Sequence, residues 1–317
     1  MAAITSPPPI PGKPIDPPPK DLPKVVGTVD ERSRIAGIAY RALNRFSFAN
    51  ASLLAAGTTY YLFITMFALL AFAYGAAAAL GSDQLTASLS DALERALPGL
   101  TGTGGIDPDQ LREIGQGTSL AGLLLLLYSG SGAMVAASNS LHLIYGALPD
   151  PRNFVAARAR LLGWLLIIAP LILLSFAIPN VIALVARSVD GFASTGIPTA
   201  VWTVGGFLVT LIIDFAIVYL LLGVLGGIRP EHRARIVGAV VGAIGISVLK
   251  SLLAVIISWS IAKPEYGAFA APIAVLLILY LLTLTLYASA SITAGVADRD
   301  VALKSLTPTD PDRNDDS

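Results

Sequence analysis

The sequence predicts an all-α polytopic membrane protein with six transmembrane helices, both termini cytoplasmic, and an external amphipathic helical segment. Three observations carry this. Of 317 residues, 55% are hydrophobic and only 13% are charged, about half the ~25% charge of an average soluble domain, and mean hydropathy is +0.72. Such a chain lacks the charge to cover a water-facing surface. The apolar residues also gather into six runs, each long enough to cross a ~30 Å hydrocarbon core at ~1.5 Å per residue. Finally, these runs lack strand-like alternation, and a helix satisfies its own backbone polar groups inside lipid.

Residues 1–30 read as a disordered cytoplasmic tail. Nine of the 21 prolines fall between Pro7 and Pro23, which favours polyproline II and forbids helix. No basic stretch followed by an apolar one opens the chain, so a signal peptide is not expected. Residues 31–300 form the membrane domain. It opens with a basic amphipathic helix over 31–50. Arg32, Arg34, Arg41 and Arg45 supply the charge, and Ile35, Ile38, Ala39, Ala42, Leu43 and Phe46 recur at helical spacing. Such a helix lies along the membrane surface.

The six spans are expected near 51–80, 119–146, 161–186, 200–226, 236–261 and 268–297. The 81–118 loop is expected to form an external amphipathic helix, because Leu85, Leu89, Leu93 and Leu97 repeat every four residues before Pro98-Gly99. A second short helix is expected over 108–115. The loop segment reads either as a cap on the bundle or as a lid over an outward cavity. Residues 301–317 read as a disordered acidic tail.

Lysine and arginine set the orientation. Seven precede the first span, and three each lie in 147–160, in 227–235 and after the last span. The opposite side holds Arg95, Arg112, Arg187 and Lys263. The positive side is cytoplasmic. An even number of spans agrees, and the expected location is a plasma membrane.

Two ionisable residues are stranded within spans, Asp214 in the fourth and Lys250 in the fifth. A charge at mid-bilayer costs ~2.5–3.5 kcal/mol on insertion scales. The short 227–235 connection makes the two spans an antiparallel hairpin. Asp214 stands about 17 residues before its centre and Lys250 about 19 after it, so both lie at similar depth and can pair. Three readings stand: mutual neutralisation that fixes helix register, the lining of a polar path, or two charges that face different helices entirely.

Hydroxyls and tyrosines recur at helical period. Lys250 shares a face with Ser247, Ser251 and Ser258; Tyr280, Thr283, Tyr287 and Ser291 form a stripe in the sixth span; Thr58, Tyr61 and Thr65 form one in the first; and Tyr128, Ser131, Ser138 and His142 form one in the second. Each stripe is expected to face protein or water, either as interhelical glue or as part of a shared polar cavity. Pro170, Pro179 and Asn180 interrupt the third span, and Gly238 and Gly242 mark close helix packing in the fifth.

Much chemistry is missing. The chain has no cysteine and only two histidines, His142 and His232. It carries no phosphate loop, no dinucleotide fingerprint and no metal-ligand spacing. No enzyme activity and no cofactor are expected. Zero net charge gives no field for nucleic acid. The expected partners are membrane lipids and a small solute or lipid substrate, and a homo-oligomer stays open.

The stretch Ala51–Leu70 with Tyr60-Tyr61, the run Tyr128-Ser-Gly-Ser-Gly-Ala, Asn139-Ser-Leu, Ile144-Tyr145-Gly146, Lys250, and Tyr266-Gly267 running to Pro272 together resemble the YihY/BrkB family of bacterial inner-membrane proteins over roughly residues 31–297. The chain departs from the family pattern at Ala68, where a proline is usual after Phe67. It also lacks the family's tryptophan in the last helix and its Gly-Ala-Glu, with Ser289-Ala290-Ser291 standing in that region. The resemblance implies a six-helix membrane protein linked to envelope lipid or solute transport and serum resistance. The family once carried a ribonuclease label, against which the missing metal ligands and basic domain argue.

The leading expectation is a transporter or lipid flippase that moves a polar or anionic solute or headgroup through a cavity. Asp214, Lys250, Tyr61, Thr58, Ser247, Tyr280, Thr283 and Tyr287 would line it. The alternative is a non-transporting scaffold or envelope-assembly factor.

Overall fold

The computed structural model describes residues 33–79, 84, 87, 90, 108–146, 158–172, 174, 175, 178, 199–225, 230–261 and 270–305. Among these every regular element is helical. The helices are α1 (Arg34–Phe48), α2 (Ala51–Ala79), α3 (Pro108–Tyr145), α4 (Thr199–Leu220), α5 (His232–Ile261) and α6 (Ala270–Ser305). Residues 158–172 are also helical and lead to Ser175. Five segments are long and apolar enough to cross a membrane: Ala51–Ala77, Leu123–Tyr145, Val204–Gly223, His232–Leu252 and Pro272–Ala297. The third of the six expected spans, 161–186, lies partly outside the described residues.

The boundaries follow local chemistry. Ser33 caps α1, its hydroxyl accepting from the Ala36 amide. Ala49 and Asn50 then turn the chain, Asn50 in the left-handed region at φ 49°, a conformation asparagine tolerates. Gly146, at φ 66°, ends α3 where a residue without Cβ is favoured.

Two helices exceed expectation. The helix expected over 108–115 is no separate piece, since α3 runs unbroken for 38 residues from Pro108, about 57 Å. Gly115 and Gly117 do not break it, because glycine weakens a helix by only ~1 kcal/mol and still donates to the ladder. Likewise α6 continues to Ser305, five residues into the stretch read as tail. Of the external amphipathic segment only residues 84, 87 and 90 are described, all helical. Ser90 meets the buried Tyr74 hydroxyl at 3.0 Å. The leucines Leu85, Leu89, Leu93 and Leu97 lie outside the described residues, as does the tail 1–30.

α6 is the hub of the bundle, packing against α1, α2, α3 and α5, whereas α4 packs chiefly on α5. The apolar core gathers where α2 begins and α3 and α6 end, around Leu141, Ile144, Leu161, Val218, Tyr287 and Ala290. Glycines let α5 and α6 approach: a Cβ on Gly238 would collide with Thr293, and one on Gly242 with Ser289. The outer faces of α4 and α5 are rows of exposed aliphatic and aromatic side chains, including Phe207, Ile212, Val241 and Val248. Surfaces of that kind suit acyl chains, not water.

Candidate functional site

Asp214 of α4 and Lys250 of α5 meet. Lys250 Nζ lies 2.6 Å from Asp214 Oδ1, as the hairpin arithmetic requires. The carboxylate is sealed, with 2% of its side chain exposed, while the lysine keeps 15%. Ser247, one turn before Lys250, donates to Asp214 Oδ2 at 3.2 Å. The fourth member is Ser175, from the helical stretch after residue 158. Its hydroxyl donates to Asp214 Oδ1 at 2.5 Å and accepts from Lys250 Nζ at 2.5 Å. Both carboxylate oxygens and the ammonium are thus engaged, which lets a buried ion pair persist in low dielectric.

Ser175 is the residue that sequence reasoning missed. A signal existed: it is the sole hydroxyl-bearing residue of the expected span 161–186. A lone hydroxyl at mid-span is dispensable unless it has a partner.

The remaining residues divide. Thr58 Oγ1 of α2 and Tyr287 Oη of α6 share a hydrogen bond of 2.5 Å, both buried. Thr283 is buried, but its hydroxyl donates back to the Leu279 carbonyl at 2.7 Å. Tyr280 is half-buried against the core. Tyr61 is exposed, its ring close over Gly132. So the structure brings Asp214, Lys250 and Ser247 together on one set of helices and Thr58 with Tyr287 on another, and leaves Tyr61 on the outside.

The hydroxyl stripes divide. Thr65, Ser131, Ser251, Thr283 and Ser291 donate to carbonyls three or four residues back in their own helix, whereas Ser138 and the Thr58–Tyr287 pair bond across helices as interhelical glue. Back-bonding satisfies a hydroxyl without any partner helix, so a periodic stripe need not mark a cavity. Tyr128 also stands exposed on the outer surface, with the Arg158 guanidinium 5.7 Å from its ring. The amphipathic tyrosine ring tolerates such a site.

A second polar cluster lies where α4 ends. Its last turn, Leu221–Leu225, widens to a π-helix and frees carbonyls for outside donors. Arg235 donates to the Tyr219 carbonyl through Nε at 2.8 Å and Nη2 at 2.6 Å, and its guanidinium stacks 3.6 Å from the Tyr219 ring. Ser138 donates to the Leu225 carbonyl at 3.0 Å. The Tyr219 hydroxyl meets His232 Nδ1 at 3.0 Å. His142 is buried, its Nδ1 donating to the Ser138 carbonyl at 2.8 Å.

The family model of virulence factor BrkB matches residues 42–314, nearly the whole chain. The protein belongs to this family. The match spans every helix but the start of α1, and it includes Ser175, Asp214 and Lys250. Among curated proteins and solved structures nothing matches. Among the described residues of this BrkB-family chain, no group of three His, Cys, Asp or Glu could hold a metal ion.

Proposed function

We propose that this BrkB-family protein is a transporter or lipid flippase of the bacterial plasma membrane, with six spans and both termini cytoplasmic, that moves an anionic solute or lipid headgroup. One observation carries the reading: the unequal exposure of the charge pair, 15% for Lys250 against 2% for Asp214. An approaching anion meets the ammonium first. The carboxylate behind it then competes for the same cation, which favours release of the bound anion. Retention of two charges where apolar residues would often serve stability equally well supports a role beyond packing. The bundle needs a sixth crossing for this topology, and the helix at 158–172 with Ser175 supplies it in the proposal.

The test uses proteoliposomes. Transbilayer movement of fluorescent headgroup-labelled phosphatidylglycerol, read by dithionite quenching, and uptake of radiolabelled inorganic phosphate cover the two substrate sources. Asp214→Asn and Lys250→Met should each abolish whichever activity the native protein shows while leaving folded protein in the membrane. Full activity in both variants would overturn the site assignment.

The back-bonded hydroxyls favour a second reading, a non-transporting scaffold, because each is satisfied within its own helix and needs no aqueous cavity. In that case neither probe moves, and function follows the tails or the 81–118 segment.

A further inference from the structure

We infer that α1 is seated in the membrane leaflet on its own side of the bundle, with the row Ile35, Ala39 and Leu43 turned into lipid. The helix has two unlike faces. Gly37, Arg41, Ala42 and Arg45 are buried. Arg41 Nε donates to the Gly295 carbonyl of α6 at 2.9 Å, and α1 backbone runs so close that a Cβ on Gly295 would lie 2.8 Å from the Ala42 amide nitrogen. On the opposite face Ile35 and Leu43 are 81% and 66% exposed, with Tyr40 and Ala39 exposed beside them.

At ~100° per residue the open face carries Ile35, Ala36, Ala39, Tyr40, Leu43 and Ser47, with no charge among them. A helix lying in water would turn its arginines outward. Here Arg41 and Arg45 turn inward, and aliphatic side chains at i, i+4 and i+8 are left outside. That is the surface of a helix buried to its midline in acyl chains. The helix also leads into the first span across a two-residue corner. Phe48 ends α1, Leu53 lies in the first turn of α2, and both are exposed on either side of the Ala49-Asn50 corner. The occupant is therefore lipid and not a soluble partner. The inference does not depend on transport.

The chain has no cysteine, so single cysteines at Ile35, Ala39 and Leu43 can be labelled with bimane in the full-length protein. Vesicles of phosphatidylcholine and phosphatidylglycerol receive each variant, with exposed Glu231→Cys as the water-facing control. Two quenchers are compared, acyl-brominated phosphatidylcholine and aqueous iodide. Labels at 35, 39 and 43 should lose several-fold more fluorescence to brominated lipid than to iodide, and the control should show the reverse order. Dominant iodide quenching along the row would overturn the proposal. So would energy transfer between differently labelled copies with neither quencher effective, which would put a second copy on the face. Three separate positions keep the test decisive if one variant misfolds.

Discussion

Ser175 donates to Asp214 Oδ1 at 2.5 Å and accepts from Lys250 Nζ at the same distance, so one hydroxyl ties a third helix to a charge pair made by two others. A hydroxyl in that position cannot be removed neutrally, because the carboxylate loses a donor while staying buried. Ser175→Ala should lower stability by about 1–3 kcal/mol, and Ser175→Thr, which keeps the hydroxyl, by clearly less. Unfolding titrations in mixed micelles measure both. Equal stability of Ala and native protein would mean that the contact is incidental.

The pair itself should show strong non-additivity. Lys250→Met leaves Asp214 buried, 2% exposed and without its cation. Removing one partner of a buried pair costs on the order of 3–5 kcal/mol, whereas replacing both with apolar residues is often nearly neutral. The double variant Asp214→Leu/Lys250→Met should therefore be more stable than either single one. Additive losses in the same titration would show that the two charges do not sense each other.

How much of this was legible follows from what each signal depends on. Helical class and five of the six span positions rest on local apolar composition, so they were readable. Asp214 and Lys250 were readable as a pair because a short loop fixes the relative depth of two antiparallel spans. Ser175 was not, since the long connection from its helix to α4 fixes no depth. The stripes left glue and cavity open for a different reason: period shows which residues share a face, but a back-bonding serine or threonine is satisfied whichever way that face turns. In α1 the apolar face read from the sequence divides, Ile35, Ala39 and Leu43 being exposed while Ala42 is buried and Phe46 packs on the core, and the sequence could not show that Arg41 and Arg45 are on the buried side. That outcome depends on Gly295, 254 residues from Arg41.

The glycines give a paired prediction on packing. A Cβ on Gly238 would strike Thr293 and lie 2.7 Å from the Ser289 carbonyl oxygen, which is backbone and cannot swing aside. Gly238→Ala should cost about 1–3 kcal/mol through overpacking. Gly57 and Gly205 have nothing within 4 Å of such a Cβ, so alanine there should be neutral or stabilise by up to ~1 kcal/mol through helix propensity. Thermal unfolding in detergent separates the cases. A loss at Gly57 as large as at Gly238 would contradict the helix contacts described.

Arg235 is held by shape as well as charge. Its guanidinium lies over the Tyr219 ring, donates twice to that residue's carbonyl, and fills the space left by the missing Cβ of Gly223. An ammonium can neither stack as a plane nor donate in a fork. Arg235→Lys should therefore cost about as much as Arg235→Gln, on the order of 1–3 kcal/mol for a lost charge-assisted hydrogen bond, although it keeps the charge. Gly223→Ala should displace the same guanidinium and release the Tyr219 carbonyl in the widened turn. Amide hydrogen exchange across 219–225 reads this directly, and both variants should speed exchange there while leaving α2 unchanged. Full rescue by lysine would mean that the site needs only positive charge, and the planar stack would lose its assigned role.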